Sequence, residues 1–199
     1  MARLPVATAF VRASAMPLPL PLTAKTQLIL LVPQDLQRIC ALLNHAKITH
    51  SPALAASNPM QMQHRFIAIL AQQQLQQGQT LPLLCGVVDK NALLGVVLLK
   101  PNPSNRHQVT LEMGFSVAAR GQGLATITCR KVRDLLFEHY QIELLLAHAH
   151  SDNQAAKRVF EKSGLGRRNK DYDYFGDGQD RSWFTIDHAQ WQRTKQLAA

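Results

Sequence analysis

Carboxylates are scarce in this chain of 199 residues: 13 Asp and Glu stand against 22 Lys and Arg, a formal charge of +9 at pH 7. That imbalance favours anionic partners, whether nucleotide phosphates, a ribosomal surface or nucleic acid, without choosing among them. Aromatic residues make up only 6% and do not alternate with basic ones, and basic runs such as Arg167-Arg168 are short. A base-stacking groove for single-stranded nucleic acid is therefore not written here. Cysteine is limited to Cys40, Cys85 and Cys129, too far apart for a Cys-x-x-Cys pair. This excludes a zinc ribbon, a dithiol redox motif and a disulfide framework, and three reduced, half-buried thiols fit a cytoplasmic protein. No apolar run approaches the ~20 residues needed to cross a bilayer, so no membrane partner is expected. In residues 1–24, Pro5 and Arg12 interrupt what would otherwise be a secretory apolar region. That segment reads as a flexible extension, with Met16 as an alternative start, and residues 25–199 as one domain.

The rest of the chain has an ordinary apolar fraction of 46% and enough length for a real core. Residues 26–32 (TQLILLV) read as a strand ended by Pro33, which opens a helix carrying Leu36, Ile39, Cys40, Leu42 and Leu43 at helical spacing. The Ser, Pro and Asn of 47–58 indicate a loop, and 60–77 a glutamine-rich helix stopped by Gly78. Three strand candidates follow at 81–89, 92–100 and 108–117, the first two joined by a hairpin-sized Asp89-Lys90-Asn91, and antiparallel pairing is the economical arrangement. The pattern then changes to a helix at 123–139, a strand at 142–148, a helix at 153–163 and strands near 165–174 and 181–187. This is a mixed α/β domain without internal repeats. The stripe Leu124, Ile127, Val132, Leu135 and Leu136 faces a core, which leaves Arg130, Lys131 and Arg133 on the solvated side.

Although the chain has only 10 glycines, Gly121 and Gly123 flank Gln122 where a strand runs into a helix. A helix start presents unpaired N–H groups and partial positive charge. Glycine removes the Cβ atoms that would keep a phosphate from those amides and permits positive φ. The turn therefore reads as a pyrophosphate cradle with Arg120 at its entrance. A dinucleotide fingerprint fits poorly, because Thr126 holds the third glycine position and several strands precede the motif. A Walker loop lacks its Gly-Lys-Ser/Thr.

Arg120-Gly121-Gln122-Gly123-Leu124-Ala125 matches the Arg/Gln-x-x-Gly-x-Gly/Ala turn of the GNAT acyltransferases, which bind the pyrophosphate of acetyl-CoA there. SDNQAAKRVFEKSGLGRR (151–168) resembles a second segment of that superfamily, with Asn153, Ala156, Arg158, Val159, Glu161, Lys162 and Gly164 in register. EMGFSV (112–117) and DYDYFGDGQDRSWFTID (171–187) resemble the strand before the turn and the closing strand pair of the RimJ/RimL branch, whose members acetylate α-amino groups of ribosomal proteins. The resemblance spans Thr26 to Trp191 in layout and is specific from Leu111 to Gly164.

It implies a mixed, mostly antiparallel sheet of six to seven strands with helices on both faces, its central strands splayed around the cofactor. The function it implies is acetyl transfer from acetyl-CoA, a cosubstrate, to a primary amine such as a protein N-terminus. Cofactor contacts would come from Phe115, Val117, Arg120, Gly121, Gln122, Gly123, Leu124, Ala125, Asn153 and Phe160. A main-chain N–H near Phe115 or Ser116 would hold the thioester oxygen. Glu112, in an otherwise apolar strand where burial would lift its pKa, is the candidate base, or else a solvent-facing or ion-paired residue. Asn153 also fits a plain helix cap. Many GNAT enzymes place a Tyr where Phe160 stands, so the thiolate is protonated by water, by Ser116, or after release. His148 and His150 share one strand face but have no evident third ligand, so no metal is expected; a proton relay through His150 is the other reading. Two rival functions stay open: a CoA-binding protein without transferase activity, and a basic ribosome- or RNA-associated module.

Overall fold

The structure, a computed structural model, describes residues 18–44, 59–75, 81, 83–172, 178 and 180–196. The loop expected at 47–58 and the tail before residue 18 lie outside them. Strands are β1 (Leu20–Pro21), β2 (Thr26–Leu30), β3 (Leu84–Asp89), β4 (Ala92–Asn102), β5 (Asn105–Phe115), β6 (Leu144–His150), β7 (Gly166–Asp171) and β8 (Arg181–Asp187). Helices are α1 (Leu36–Asn44), α2 (Pro59–Leu75), α3 (Leu124–His139), α4 (Gln154–Lys162) and α5 (His188–Gln196). Among the described residues they build one eight-stranded sheet in the order β1-β2-β3-β4-β5-β6-β8-β7. Every neighbouring pair is antiparallel except β5 and β6, which α3 joins as a parallel pair.

Alternation along the strands sorts two apolar clusters onto the two faces. Val97, Leu99, Val109, Leu111, Leu145, Ala147, Phe184 and Ile186 pack under α3, α4 and α5, whereas Val96 and Leu98 pack with Ile39, Leu42, Met62, Phe66 and Leu70 of α1 and α2. Burying side chains of this size stabilises the fold by about 1.5–3 kcal/mol each. Tight spacing sets one glycine: a Cβ on Gly95 would stand 2.5 Å from the ring of Phe115, its cross-strand partner. Gln73, buried on α2, donates to the carbonyls of Leu31 and Leu84 and accepts from the N–H groups of Leu83 and Leu84, pinning the helix where β2 ends and β3 begins.

The mixed α/β class and its helices on both faces hold, with eight strands rather than six to seven. The additional edge strand β1 falls inside the expected extension, and its two residues include a proline, so no periodicity marks it. Helix α5 was not anticipated either. Apart from Ala189 and Trp191 it is polar, and it is seated by Trp191, whose indole donates to Asp134 at 2.8 Å and whose ring stacks on Phe137. Arg133 is not solvated: it is buried, and its Nη1 donates to the Ser163 carbonyl at 2.5 Å, while Arg130 donates to the Lys162 carbonyl. Two α3 cations thereby satisfy the C-terminal carbonyls of α4. Cys85 and Cys129 are fully rather than half buried, which pushes their thiols up to about 12 and about 11.

Candidate active site

Strands β5 and β6 run side by side from Gln108↔Leu144 to Leu111↔Ala147 and then part. Beyond that point β5 continues to Phe115 against β4, and β6 continues to His150 against β8. The sheet opens between them. Ser116 N–H donates to the Leu94 carbonyl at 2.8 Å, so Gly95↔Phe115 is a non-hydrogen-bonded pair. By the antiparallel alternation the main-chain groups of Met113 and Phe115 point away from β4, into the gap. Of the two N–H groups expected near the thioester oxygen, that of Ser116 is thus committed to β4, while that of Phe115 faces the opening. Ser116 Oγ is buried and has no hydrogen-bond partner among the described residues.

A single 3-10 turn, Val117–Ala119, closed by Ala119 N–H on the Ser116 carbonyl, carries the chain from β5 to the glycines. Gly121 and Gly123 have φ of +74° and +72°, and a Cβ built on either would meet nothing within 4 Å. Conformation, not crowding by the protein, therefore requires glycine at both. Gly123 is the N-cap of α3, and the N–H groups of Thr126 and Ile127 both bond to its carbonyl. The N–H groups of Leu124 and Ala125 precede that first bond and sit where the helix dipole is positive. Buried Leu124 anchors the helix start; Val117, Arg120 and Gln122 are exposed, with Gln122 Nε2 folded back onto the Ala118 carbonyl at 2.7 Å. This open, positive-φ turn fits a diphosphate.

At the far side of the gap, Asn153 caps α4: its Oδ1 accepts from Ala156 N–H at 3.0 Å. Phe160 points into the core, its ring centroid 5.4 Å from that of Phe184. The sheet's other face, towards α1 and α2, carries Glu112, paired with Leu98 on β4. Its side chain is only 2% exposed. Lys100 Nζ donates to Glu112 Oε1 at 2.9 Å, and His148 Nε2 lies 3.8 Å from the same oxygen, with the His148 ring 5.0 Å from Trp183. Glu112 is therefore ion-paired rather than solvent-facing. Lys100 and His148 were not read from the sequence as its partners, although strand alternation and the hairpin register place all three on one face. His150 shares that face, where its Nδ1 accepts from Asp152 N–H at 3.2 Å and lies 3.8 Å from the Asp152 carboxylate.

A parallel strand pair that diverges beside a glycine turn and helix N-terminus is the layout expected of an acyl-CoA-dependent transferase. The model of the Acetyltransferase (GNAT) domain family matches residues 26–166, and the chain belongs to that family: it is a GNAT-type acetyltransferase. No curated protein matches the chain significantly by sequence. Among solved structures, a probable acetyltransferase is 18% identical with a TM-score of 0.71, covering 86% of this chain and 98% of its own. RimL, a ribosomal-protein α-N-acetyltransferase in complex with coenzyme A, is 12% identical with a TM-score of 0.68, covering 84% and 97%. A mutant of the spermidine N-acetyltransferase SpeG from Vibrio cholerae is 16% identical with a TM-score of 0.67, covering 85% and 98%. At these identities the likeness is one of fold.

Proposed function

We propose that residues 25–199 form an acetyl-CoA-dependent N-acetyltransferase of the RimJ/RimL type, cytoplasmic, whose acceptor is the α-amino group of a protein chain. The observation that carries this reading is the gap between β5 and β6 ending at the Gly121/Gly123 turn. Acetyl-CoA supplies the activated acyl group as a thioester. Amides from Gly121 to Ala125 hold its diphosphate, with Arg120 adding charge and Val117, Gln122, Asn153 and Phe160 bordering the site. Main-chain groups of Met113 and Phe115 line the gap, and Phe115 N–H donates to the thioester oxygen. Glu112 takes a proton from the incoming ammonium, directly or through water, so that a neutral amine attacks. Ser116 Oγ, buried without a partner among the described residues at the end of β5, relays the proton that the attacking nitrogen then sheds, through water, to the departing sulfur.

The core position of Phe160 favours a second reading, a CoA-binding protein without transfer, because no hydroxyl stands there to protonate the thiolate. Calorimetric titration with acetyl-CoA gives binding under both. Free thiol released in the presence of an N-terminal peptide, spermidine or an aminoglycoside separates them. Under the transferase reading the peptide gives the highest rate, and Glu112→Gln lowers it by about tenfold or more. No thiol release with any amine would favour the second reading, and spermidine as best acceptor would overturn the α-amino assignment alone.

A further inference from the structure

We propose that Lys100 is a positioning residue for the transfer reaction: its ammonium fixes one oxygen of the Glu112 carboxylate and keeps that carboxylate ionised beside the β5–β6 opening. The inference rests on the reading of Glu112 as the base. Its ground is geometric. In the β4–β5 ladder Leu98 stands opposite Glu112 and Lys100 opposite Thr110, so Lys100 and Glu112 are diagonal neighbours on one face. Long side chains span that diagonal, and Lys100 Nζ reaches Glu112 Oε1 at 2.9 Å.

The two ends of the pair differ in surroundings. Glu112 and His148 side chains are each 2% exposed, whereas Lys100 is 44% exposed. The carboxylate thus sits in a place that by itself favours the neutral acid, and a neutral carboxyl accepts no proton from an ammonium. The lysine keeps part of its hydration while lending its charge, which favours the ionised form that a base requires. Other charged groups among the described residues lie around the pair. From β6, His148 faces the same oxygen at 3.8 Å, too far for a hydrogen bond, and contributes charge only when protonated. From β8, Arg181 is buried on the same face, opposite His150 and diagonal to His148. The covering helices offer no competing acid, since no Asp or Glu occurs between Asp35 and Asp89. Their cations lie elsewhere: Arg38 is bound to Asp35 and to the Asn91 carbonyl, and His64 and Arg65 are exposed. Removing the Lys100 charge while keeping the length of its chain takes away the cation hydrogen-bonded to Glu112 Oε1.

The test is a carboxyl titration. The chain has only four glutamates, Glu112, Glu138, Glu143 and Glu161, so 13C labelling of their carboxyl carbons gives a readable spectrum in which Glu112→Gln identifies the Glu112 signal. In Lys100→Met the midpoint of that signal moves up by about one pH unit or more relative to the wild-type chain, and in Lys100→Arg it stays within about half a unit. Kinetics follow the same sign. With acetyl-CoA and one fixed acceptor, Lys100→Met is slowed by up to about tenfold at the acid end of the pH profile and approaches the wild-type rate as pH rises, while its affinity for CoA is unchanged. An unmoved Glu112 midpoint in folded Lys100→Met, or a rate lowered equally at every pH, overturns the proposal. Should Lys100→Met fail to fold, Lys100→Gln is titrated in its place with the same expectation. Full activity of Glu112→Gln would instead sink the base assignment and leave the titration result standing, so the two failures are distinguishable.

Discussion

Gly123 has φ of +72° with open space where a side chain would begin. A Gly123→Ala substitution therefore meets no clash inside the protein; it pays about 1–2 kcal/mol for the left-handed backbone and places a methyl group on the ligand side of the turn. We expect a fall in melting temperature of a few degrees and, by calorimetric titration, a loss of CoA affinity of about tenfold or more. A loss of stability without loss of affinity would mean that the turn shapes the fold but does not face the ligand. The thiols give a second test at this scale. Burial holds Cys85 and Cys129 protonated up to about 12 and about 11, from an ordinary 9.0. Because the folded values are raised, the stability tied to them is complete below pH 9 and is lost as pH rises from there through the folded values. Each thiol costs up to about 1.4 kcal/mol per pH unit over that window. Between pH 8.5 and 10.5 the urea midpoint of the wild-type chain should therefore drop further than that of the double variant Cys85→Ala, Cys129→Ala. Equal drops would show that burial does not hold the thiols protonated.

Elements differ in what holds them. Helix α2 is tied to the end of β2 and the start of β3 by four hydrogen bonds of one buried amide, Gln73. Gln73→Leu leaves the Leu31 and Leu84 carbonyls and the Leu83 and Leu84 amides short of partners, and we expect a cost of about 2–4 kcal/mol, read from chemical denaturation. A cost below about 0.5 kcal/mol would show that water replaces the amide. Elements of this kind also mark how far the sequence could be read. Strong periodicity made β2 to β6 and α1 to α4 legible, and the glycine turn was legible because a positive-φ bend from strand into helix calls for glycine. Helix α5 was not, since its packing rests on one tryptophan meeting Asp134 and Phe137 from a distant helix. The burial of Arg133 was equally hidden: charge in a helical stripe predicts solvent, and only the arrival of the α4 C-terminus supplies carbonyls to bind it. Glu112 was visible as an acid in an apolar strand, but its pairing with Lys100 depends on the β4–β5 register, which the turn between them sets and the pattern of apolar residues leaves unstated.

At the scale of the molecule, one interruption organises the rest. A sheet otherwise paired along its length opens where β5 and β6 diverge, and only there does the central part of the sheet expose main-chain polar groups that a ligand can pair. The same opening has the α3 N-terminus at one end and Glu112 on the neighbouring face; under the proposed function, donor and base therefore approach it from opposite sides of the sheet. Amide chemical shifts of 15N-labelled protein titrated with acetyl-CoA test this arrangement most directly. The account predicts that the largest changes fall on Met113, Phe115 and Gly121 to Ala125. Changes centred elsewhere, with those amides unmoved at saturation, would contradict it.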